Sequence, residues 1–272
     1  MLDIIKEILK SEGIESAGML PVDVCEIINP RIMPDFAVSA VMFTIPYRTF
    51  KKPAADGFSE YARMYDYHKF AAGLYERIIP RIEAAAGIRV CGFCDHSPIN
   101  EKTAAAKCGL GVIGRNSLFI DKIYGSFVFL GSILTSAECK CAAVPVEYCL
   151  NCGRCANLCP GHAIGEHGID PAKCLSAISQ SKHQTAEERE LLRRNGVIWG
   201  CDICQLVCPY NEKAPLSKIE YFKTTRRDRI DKDFIDSLSD GEFKKYAFSY
   251  RGRKLVLENI QNAAQDNKNS LD

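Results

Sequence analysis

The spacing of the cysteines is the feature that most constrains this chain of 272 residues, which contains 14 of them. Four form a motif with two, two and three residues between successive members and a proline after the last: Cys149, Cys152, Cys155 and Cys159. A second motif has spacings of two and three residues and also ends before a proline: Cys201, Cys204 and Cys208. Cysteines spaced as in the first motif bind 4Fe–4S clusters, with three thiolates on one cluster and the cysteine before proline on another. The pattern therefore predicts two clusters.

The second motif is incomplete, because it has three cysteines where a ferredoxin repeat has four. The ligands predicted for one cluster are Cys149, Cys152, Cys155 and Cys208. The ligands predicted for the other are Cys159, Cys201, Cys204 and, as the missing fourth, Cys174, which lies between the motifs. A zinc site built on two Cys-x2-Cys pairs is the alternative, but it leaves half of these thiols unexplained. We therefore predict a protein that transfers single electrons.

Bulk composition narrows the class of protein. Hydrophobic residues make up 47% and charged residues 25%, as in soluble globular proteins. The formal net charge of +1 argues against strong overall attraction to nucleic acid. The N-terminus is a charged helix start without an apolar signal segment, and no apolar stretch is long enough to span a membrane. So many thiols then indicate a reducing compartment, and we expect a cytoplasmic protein without a membrane partner.

The chain divides by composition into three consecutive regions: residues 1–138, a cysteine-rich module at 139–215, and a polar, basic helical tail at 216–272. In the first region, apolar runs predict buried strands at residues 38–46 and 126–135, and residues 88–95 are predicted to form a short strand. A helical pattern covers residues 61–85, and Pro80 is expected to kink or end it. A further helix is predicted to start with Ser97 as N-cap and Pro98 at the first position, and to stop at Cys108-Gly109. The final residues, 265–272, are expected to fray.

Several further motifs follow one another in a characteristic order. They are Tyr61-Ala-x3-Asp-Tyr-His-Lys69, Asp95-His-Ser-Pro-x2-Glu101, Cys108-Gly-Leu-Gly-x2-Gly-Arg-Asn-Ser-Leu118, Gly125-Ser-Phe-x2-Leu-Gly131 and Gly200-Cys-Asp-x-Cys-Gln-Leu-x-Cys-Pro-x-Asn211. At these spacings the chain resembles the epoxyqueuosine reductase family. Members bind cobalamin and two 4Fe–4S clusters, reduce the epoxide of a modified base at the wobble position of tRNA, and are related to corrinoid reductive dehalogenases. The resemblance implies an α+β fold, in which an α/β cobalamin-binding, nitroreductase-like domain precedes a double-cluster ferredoxin-like module.

The resemblance also implies roles for individual residues. Asp95 matches the family's proton donor, which protonates the departing oxygen; the alternatives are that it caps a helix or pairs with Lys102. The positions that match the corrin pocket or its surroundings are Tyr67, His68, Ser97, Gly109, Gly111, Gly114, Arg115 and Asn116. The glycines equally suit tight turns, and His68 equally suits a core histidine. We predict a flat cavity between the clusters and Asp95, lined by residues from 61–69, 95–101 and 109–118. A wide cavity with Asp95 at its wall favours a reductase.

The chain departs from the family in ways that bear on its substrate. Compared with typical members it is expected to lack the C-terminal helical-repeat domain that helps to grip tRNA, and it has Met64, Val112 and Asn116 where the family has other residues. A basic segment at 241–254 could contact phosphates instead, although charge runs are usually solvated surfaces. Six cysteines lie outside the cluster motifs: Cys25, Cys91, Cys94, Cys108, Cys139 and Cys141. Cys91 and Cys94 have a redox spacing, but two small buried residues on a strand are the favoured interpretation.

Three functions are compatible with these patterns. The leading one is a reductase of the epoxyqueuosine type that acts on tRNA or a related modified nucleoside, with an external low-potential electron donor. The second is a corrinoid reductase of another small substrate, similar to a dehalogenase. The third is a two-cluster electron-transfer protein without cobalamin. The sequence does not indicate an oligomeric state.

Overall fold

The computed structural model describes residues 1–166 and 168–264, and they form two compact units. The first unit consists of Met1–Arg48, His68–Asn151 and Tyr210–Ile219, and the second of Thr49–Tyr67, Cys152–Pro209 and Glu220–Asp272. Each unit is therefore built from discontinuous segments, whereas the division by composition is consecutive. The predicted division into three functional domains, at 1–138, 139–215 and 216–272, therefore stays a prediction. The predicted fraying at 265–272 lies outside the described residues.

The first unit is built on an antiparallel sheet. Its elements are α1 (Leu2–Ser11), β1 (Ala17–Pro21), β2 (Ser39–Pro46), α2 (Tyr67–Ala86), β3 (Val90–Phe93), α3 (Glu101–Lys107), β4 (Gly111–Ile113), β5 (Phe119–Asp121) and β6 (Val128–Thr135). Four strands pair in the order β1-β2-β6-β3, and β4 pairs with β5 in a separate ribbon. All eight residues of β2 are buried, which explains its continuous apolar sequence. The predicted strands at 38–46, 88–95 and 126–135 thus correspond to β2, β3 and β6.

The helix predicted at residues 61–85 begins later and ends almost where expected. Residues 60–63 form a separate 3-10 turn, and α2 starts at Tyr67. The intervening backbone is engaged elsewhere in the second unit, since Asp66 N–H donates to the carbonyl of Lys245 (2.7 Å). Pro80 does not end α2, which continues to Ala86.

The predicted start of α3 was wrong. The helix begins at Glu101, and its N-cap is Asn100, whose Oδ1 accepts the N–H of Thr103 (3.4 Å). The Pro98 carbonyl instead accepts the N–H groups of Ile28 (2.9 Å) and Asn29 (3.1 Å), so a tertiary contact competes with helix formation. The predicted end is confirmed: Cys108 is the C-cap, and the following Gly109 has φ +73°.

The segment after the second cysteine motif returns to the first unit. There Asn211 is buried; its Oδ1 accepts the N–H of Ser126 (2.7 Å) and its Nδ2 donates to Ser126 Oγ (2.8 Å). A Cβ at Gly125 would lie 1.9 Å from Asn211 Oδ1, so only glycine fits. This contact gives a structural reason for the Gly125-Ser126 and Asn211 positions of the motifs.

The second unit is helical. Its helices are α4 (Arg154–Asn157), α5 (Leu175–Ser179), α6 (Ala186–Arg194), α7 (Ile203–Leu206), α8 (Glu220–Thr225), α9 (Lys232–Ser237), α10 (Asp240–Phe243) and α11 (Arg253–Ala263). Trp199 is fully buried in its core, together with Ile235, Phe248 and Val256 from the tail. The tail is therefore more than a polar appendage, because it supplies much of this core. No helix in the described part of the chain is long and apolar enough to cross a membrane.

Candidate functional site

A cavity of about 400 Å³ opens in the first unit. Much of its apolar wall comes from β5, β6 and the segment before β5: Leu118, Phe119, Val128, Phe129 and Leu130. Its polar wall includes two carboxylates, those of Asp95 and Glu101. The size is in the range of pockets for small molecules, and an apolar wall with a few polar groups is typical of such pockets. Asp95 lies at the cavity wall as expected, together with Glu101 and Leu118 from two of the predicted segments, but the residues that line the cavity include none from the third segment, 61–69.

Asp95 lies in the loop between β3 and α3. Its φ is 61°, in the left-handed region that side chains other than those of glycine, asparagine and aspartate rarely adopt. Its side chain is half exposed, and Oδ2 lies 3.4 Å from Nε2 of His68 at the start of α2. The cap of α3 is Asn100, so the interpretation of Asp95 as a helix cap was wrong. Lys102 was the other partner considered for Asp95 from the sequence. In the structure, its Nζ donates a hydrogen bond to the carbonyl of Ser117 (3.1 Å).

Glu101 was quoted within a sequence motif, but no role was predicted for it. It is 9% exposed, Oε2 accepts the N–H of Asp95 (3.0 Å), and Oε1 accepts the hydroxyl of Ser132 (2.9 Å). Burial raises the pKa of Glu101 to about 8, the Ser132 hydrogen bond lowers it, and the neighbouring charge of Asp95 raises it. A glutamate in the first turn of a helix usually faces solvent, so sequence patterns carry little signal for this burial.

His68 and Ser97 both lie near the acidic part of the cavity. The His68 side chain is 54% exposed, so its interpretation as a core histidine was wrong. Ser97 is buried, with its Oγ 3.4 Å from Ser132 Oγ. Tyr67 is the first residue of α2 and belongs to the second unit.

The glycine-rich run has a structural role in the β4–β5 ribbon. A Cβ at Gly111 would lie 2.0 Å from the carbonyl oxygen of Ile120, and one at Gly114 would lie 2.3 Å from Oδ1 of Asn116. Asn116 is buried, and its Oδ1 accepts the N–H of Leu118 (3.4 Å). These contacts show that the glycines allow close packing within and beside the β4–β5 ribbon, and their contact with a corrin ring stays a prediction.

The cysteines of the second motif lie near other cysteines of the second unit. The thiol of Cys201 has a pKa of about 11, raised first by burial and also by the charges of Cys174 and Cys159. Helices α4 and α7, which carry Cys155 and Cys204, contact each other. The structure thus places Cys159 and Cys174 close enough to Cys201 to affect its pKa, and these three thiols are predicted to share a cluster.

Backbone N–H groups point at two of the predicted ligand sulfurs. Ala163 donates to Cys159 Sγ, and Arg115 donates to Cys149 Sγ in the first unit, both at 3.3 Å. Hydrogen bonds to sulfur are among the factors that set the potential of an iron–sulfur cluster. Among residues 1–166 and 168–264, no three His, Cys, Asp or Glu side chains are close enough to hold a single metal ion. A cluster of four irons needs wider spacing, and the all-thiol donor set suits iron–sulfur chemistry.

In the part of the chain that the structure describes, the six other cysteines form no disulfide. Cys91 on β3 and Cys94 after it are half-buried, and burial raises the pKa of Cys91. Cys108 has a pKa of about 12, raised first by burial and then by the charge of Cys25. Cys139 Sγ accepts the N–H of Cys141 (3.2 Å).

Comparison with known proteins agrees with the cysteine pattern. A family model described as "4Fe-4S double cluster binding domain" matches residues 148–211. The epoxyqueuosine reductase of Gloeobacter violaceus is 32% identical over 241 residues, which is 84% of this chain and 75% of the relative. That of Leadbetterella byssophila is 33% identical over 236 residues, covering 85% and 76%. The match to the Lactococcus garvieae enzyme is 37% identical but spans only 42% of that protein.

Solved structures show the same relationship. Epoxyqueuosine reductase from Streptococcus thermophilus superimposes with a TM-score of 0.74 at 27% identity, covering 95% of this chain and 79% of that one. An epoxyqueuosine reductase solved with an epoxyqueuosine-modified stem loop of tRNA-Tyr has a TM-score of 0.82 at 21% identity, covering 96% and 80%. The catabolic reductive dehalogenase NpRdhA shares the fold at a TM-score of 0.52 and 15% identity, covering 97% of this chain and 35% of that one.

The fold, the cavity and the double-cluster domain define an iron–sulfur oxidoreductase with an α+β architecture. The relatives narrow that class further. The chain belongs to the epoxyqueuosine reductase family. The predicted fold class, family and enzyme class are therefore confirmed, and these relationships support two 4Fe–4S clusters and cobalamin as the cofactors.

Proposed function

We propose that this protein reduces epoxyqueuosine to queuosine in tRNA, using cobalamin and two 4Fe–4S clusters. The observation that carries this proposal is the half-exposed carboxyl of Asp95 at the wall of a largely apolar cavity, in a member of this family. Opening the epoxide to an alkene consumes two electrons and two protons and releases the oxygen as water. Side chains cannot supply these electrons, so bound cobalamin would deliver them to the substrate.

Asp95 is the proposed proton donor to the departing oxygen. It sits where a substrate in the cavity would meet it, and its loop is held by the buried Glu101. His68 Nε2 lies within 3.4 Å of Asp95 Oδ2 and can return a proton to the carboxylate after turnover.

The proposed cluster ligands are those predicted from spacing, and the match of residues 148–211 to a double-cluster domain supports them. One set is Cys149, Cys152, Cys155 and Cys208. The other is Cys159, Cys174, Cys201 and Cys204. An external low-potential donor would reduce the clusters, and the cytoplasm is the compartment that provides both tRNA and reduced thiols.

Binding of tRNA is proposed to involve the basic segment at 241–254. Lys245, Arg251 and Lys254 are exposed there, and lysine and arginine side chains bind phosphates. Arg253 has a structural role instead, because its guanidinium donates to the carbonyl of Leu238 (2.8 Å) and packs over the ring of Phe243. The tRNA stem loop bound to the relative supports this choice of substrate class.

The test is turnover by the anaerobically reconstituted protein on an anticodon stem loop that contains epoxyqueuosine, measured by mass spectrometry of the nucleosides. Asp95→Asn should lower kcat by about 100-fold or more while cluster iron stays unchanged, because general acids contribute factors of this size. Asp35→Asn is the matched control, since Asp35 is an exposed aspartate of the same unit. Full activity of Asp95→Asn would contradict the role of Asp95. Turnover of the free nucleoside but not of the stem loop would favour a small-substrate reductase.

A further inference from the structure

We propose that Glu101 is a positioning residue that holds the Asp95 loop in its working conformation. This inference deepens the proposed function, because it concerns the group that orients the proposed proton donor. Glu101 is not assigned to either the clusters or the predicted corrin contacts.

The first argument is the hydrogen bonding of the Glu101 carboxylate. Its two oxygens have different partners: Oε2 accepts the N–H of Asp95 (3.0 Å), and Oε1 accepts the hydroxyl of Ser132 on β6 (2.9 Å). Ser132 is fully buried in the central sheet, so one end of this chain of contacts is anchored in the core. The carboxylate therefore links the core of the first unit to the backbone of Asp95.

The second argument is the backbone conformation of Asp95. With φ at 61°, this residue is in the left-handed region, which aspartate tolerates better than most side chains but which still costs free energy that surrounding contacts must offset. The N–H that Glu101 accepts belongs to this same residue, and the next N–H, that of His96, donates to the carbonyl of Cys94 (2.7 Å). Loss of the Glu101 contact would let the peptide relax and turn the Asp95 carboxyl away from the cavity.

The third argument is the energetic cost of placing Glu101 where it is. A glutamate with only 9% exposure is rare unless its oxygens are hydrogen-bonded, and both oxygens are. A surface glutamate at the same helix position would satisfy α3 equally well, since Asn100 already provides the cap. Helix stability alone therefore does not account for its burial beside Asp95.

The role predicts different effects for two substitutions. In Glu101→Gln, the amide oxygen can still accept the Asp95 N–H, and the amide NH₂ can donate to Ser132 Oγ, which is also an acceptor. We expect kcat within about threefold of wild type, because both contacts are kept. In Glu101→Ala both contacts are lost, and we expect kcat to fall by about 100-fold with little change in KM, as for a misplaced catalytic group.

A second measurement does not depend on substrate or cobalamin. Hydrogen–deuterium exchange of the protein with both clusters reports on the peptide that contains residues 94–97. We expect exchange in this peptide to be about tenfold faster in Glu101→Ala and unchanged in Glu101→Gln, while the peptide for β2 stays protected in both. Ser132→Ala, which frees one end of the carboxylate, should give an intermediate increase and serves if Glu101→Ala does not fold.

The outcomes separate this inference from the proposed function. Unchanged exchange in both Glu101→Ala and Ser132→Ala would overturn the positioning role, whatever the enzyme's substrate. Glu101→Gln with as little activity as Asp95→Asn would also overturn it, because Glu101 would then act through its own proton. If wild type has no activity on epoxyqueuosine, the proposed function fails, and the exchange experiment still decides the role of Glu101.

Discussion

Substitution of Asn259 by alanine should destabilise the second unit by several kcal/mol. Asn259 lies on α11 and is 2% exposed. Its Nδ2 donates to the carbonyls of Ser179 (2.7 Å) and Ile198 (2.9 Å), and its Oδ1 accepts from Nε2 of Gln184 (3.1 Å). This one amide therefore ties the last helix to two other segments of the unit.

The magnitude follows from what the substitution leaves behind. Two carbonyl groups lose a buried donor, and a buried polar group left unsatisfied costs about 1–3 kcal/mol. The total is about 2–5 kcal/mol, since water that enters the vacated space can satisfy part of the loss. For a chain of this size, that corresponds to a decrease in Tm of about 5–15 °C.

The measurement is thermal unfolding of the reconstituted protein by circular dichroism under anaerobic conditions. Asn262→Ala is the matched control: it is the same substitution on the same helix, and the hydrogen bond it removes, to the Arg189 carbonyl (2.8 Å), is exposed. The control should shift Tm by less than about 2 °C. Equal shifts for the two variants would refute the reasoning that buried carbonyls depend on Asn259.

Three further predictions concern the charge of Glu101, the clusters and tRNA. Burial raises the pKa of Glu101 to about 8, so the native protein holds this proton more tightly than the unfolded chain does. The resulting stabilisation is complete below the ordinary pKa of 4.5 and is lost as the pH rises through about 8. Glu101→Gln should thus gain stability relative to wild type between about pH 5 and 9, by at most about 5 kcal/mol, and a Tm difference independent of pH would contradict this. Cys174→Ser should lower bound iron markedly while Cys141→Ser does not, as measured by iron analysis and electron paramagnetic resonance; equal iron in both would exclude Cys174 as a ligand. Arg251→Ala and Lys254→Ala should each weaken stem-loop binding and reduce the slope of log K against log salt by up to about one, and an unchanged slope would exclude phosphate contact.

Local sequence patterns were sufficient for part of the fold. The eight buried residues of β2 form a continuous apolar run, so burial on both faces could be predicted. The end of α3 at Cys108-Gly109 was likewise predictable, because the left-handed φ at this position favours glycine. Cysteine spacing predicted two clusters, since the number of residues between thiols limits which of them can reach one cluster.

Other features depend on partners far along the chain. Ser97 and Pro98 have the composition of a helix start, but the Pro98 carbonyl is occupied by the N–H groups of Ile28 and Asn29, and α3 begins three residues after Pro98. The tail looks polar because its charged residues alternate with the buried ones, among them Phe248 and Val256. The partners of the Pro98 carbonyl, Ile28 and Asn29, and one ring packed against Phe248, that of Phe58, lie too far along the chain to be found from a short stretch of sequence.

The residues of the candidate site also fall into two groups, those that could be predicted from local sequence and those that could not. Its proposed proton donor was found by motif, because Asp95 and its neighbours occur together in sequence. The sequence by itself determined which chemical groups this protein has: the spaced thiols, the acid in its motif and the apolar runs that become the central sheet. Only the tertiary structure decided that Glu101 is buried and bonded to both Asp95 and Ser132, since Ser132 lies 31 residues away on β6. The reason is that local propensity depends on neighbours in the chain, whereas burial and hydrogen bonding of a charged side chain depend on which distant segments fold against it.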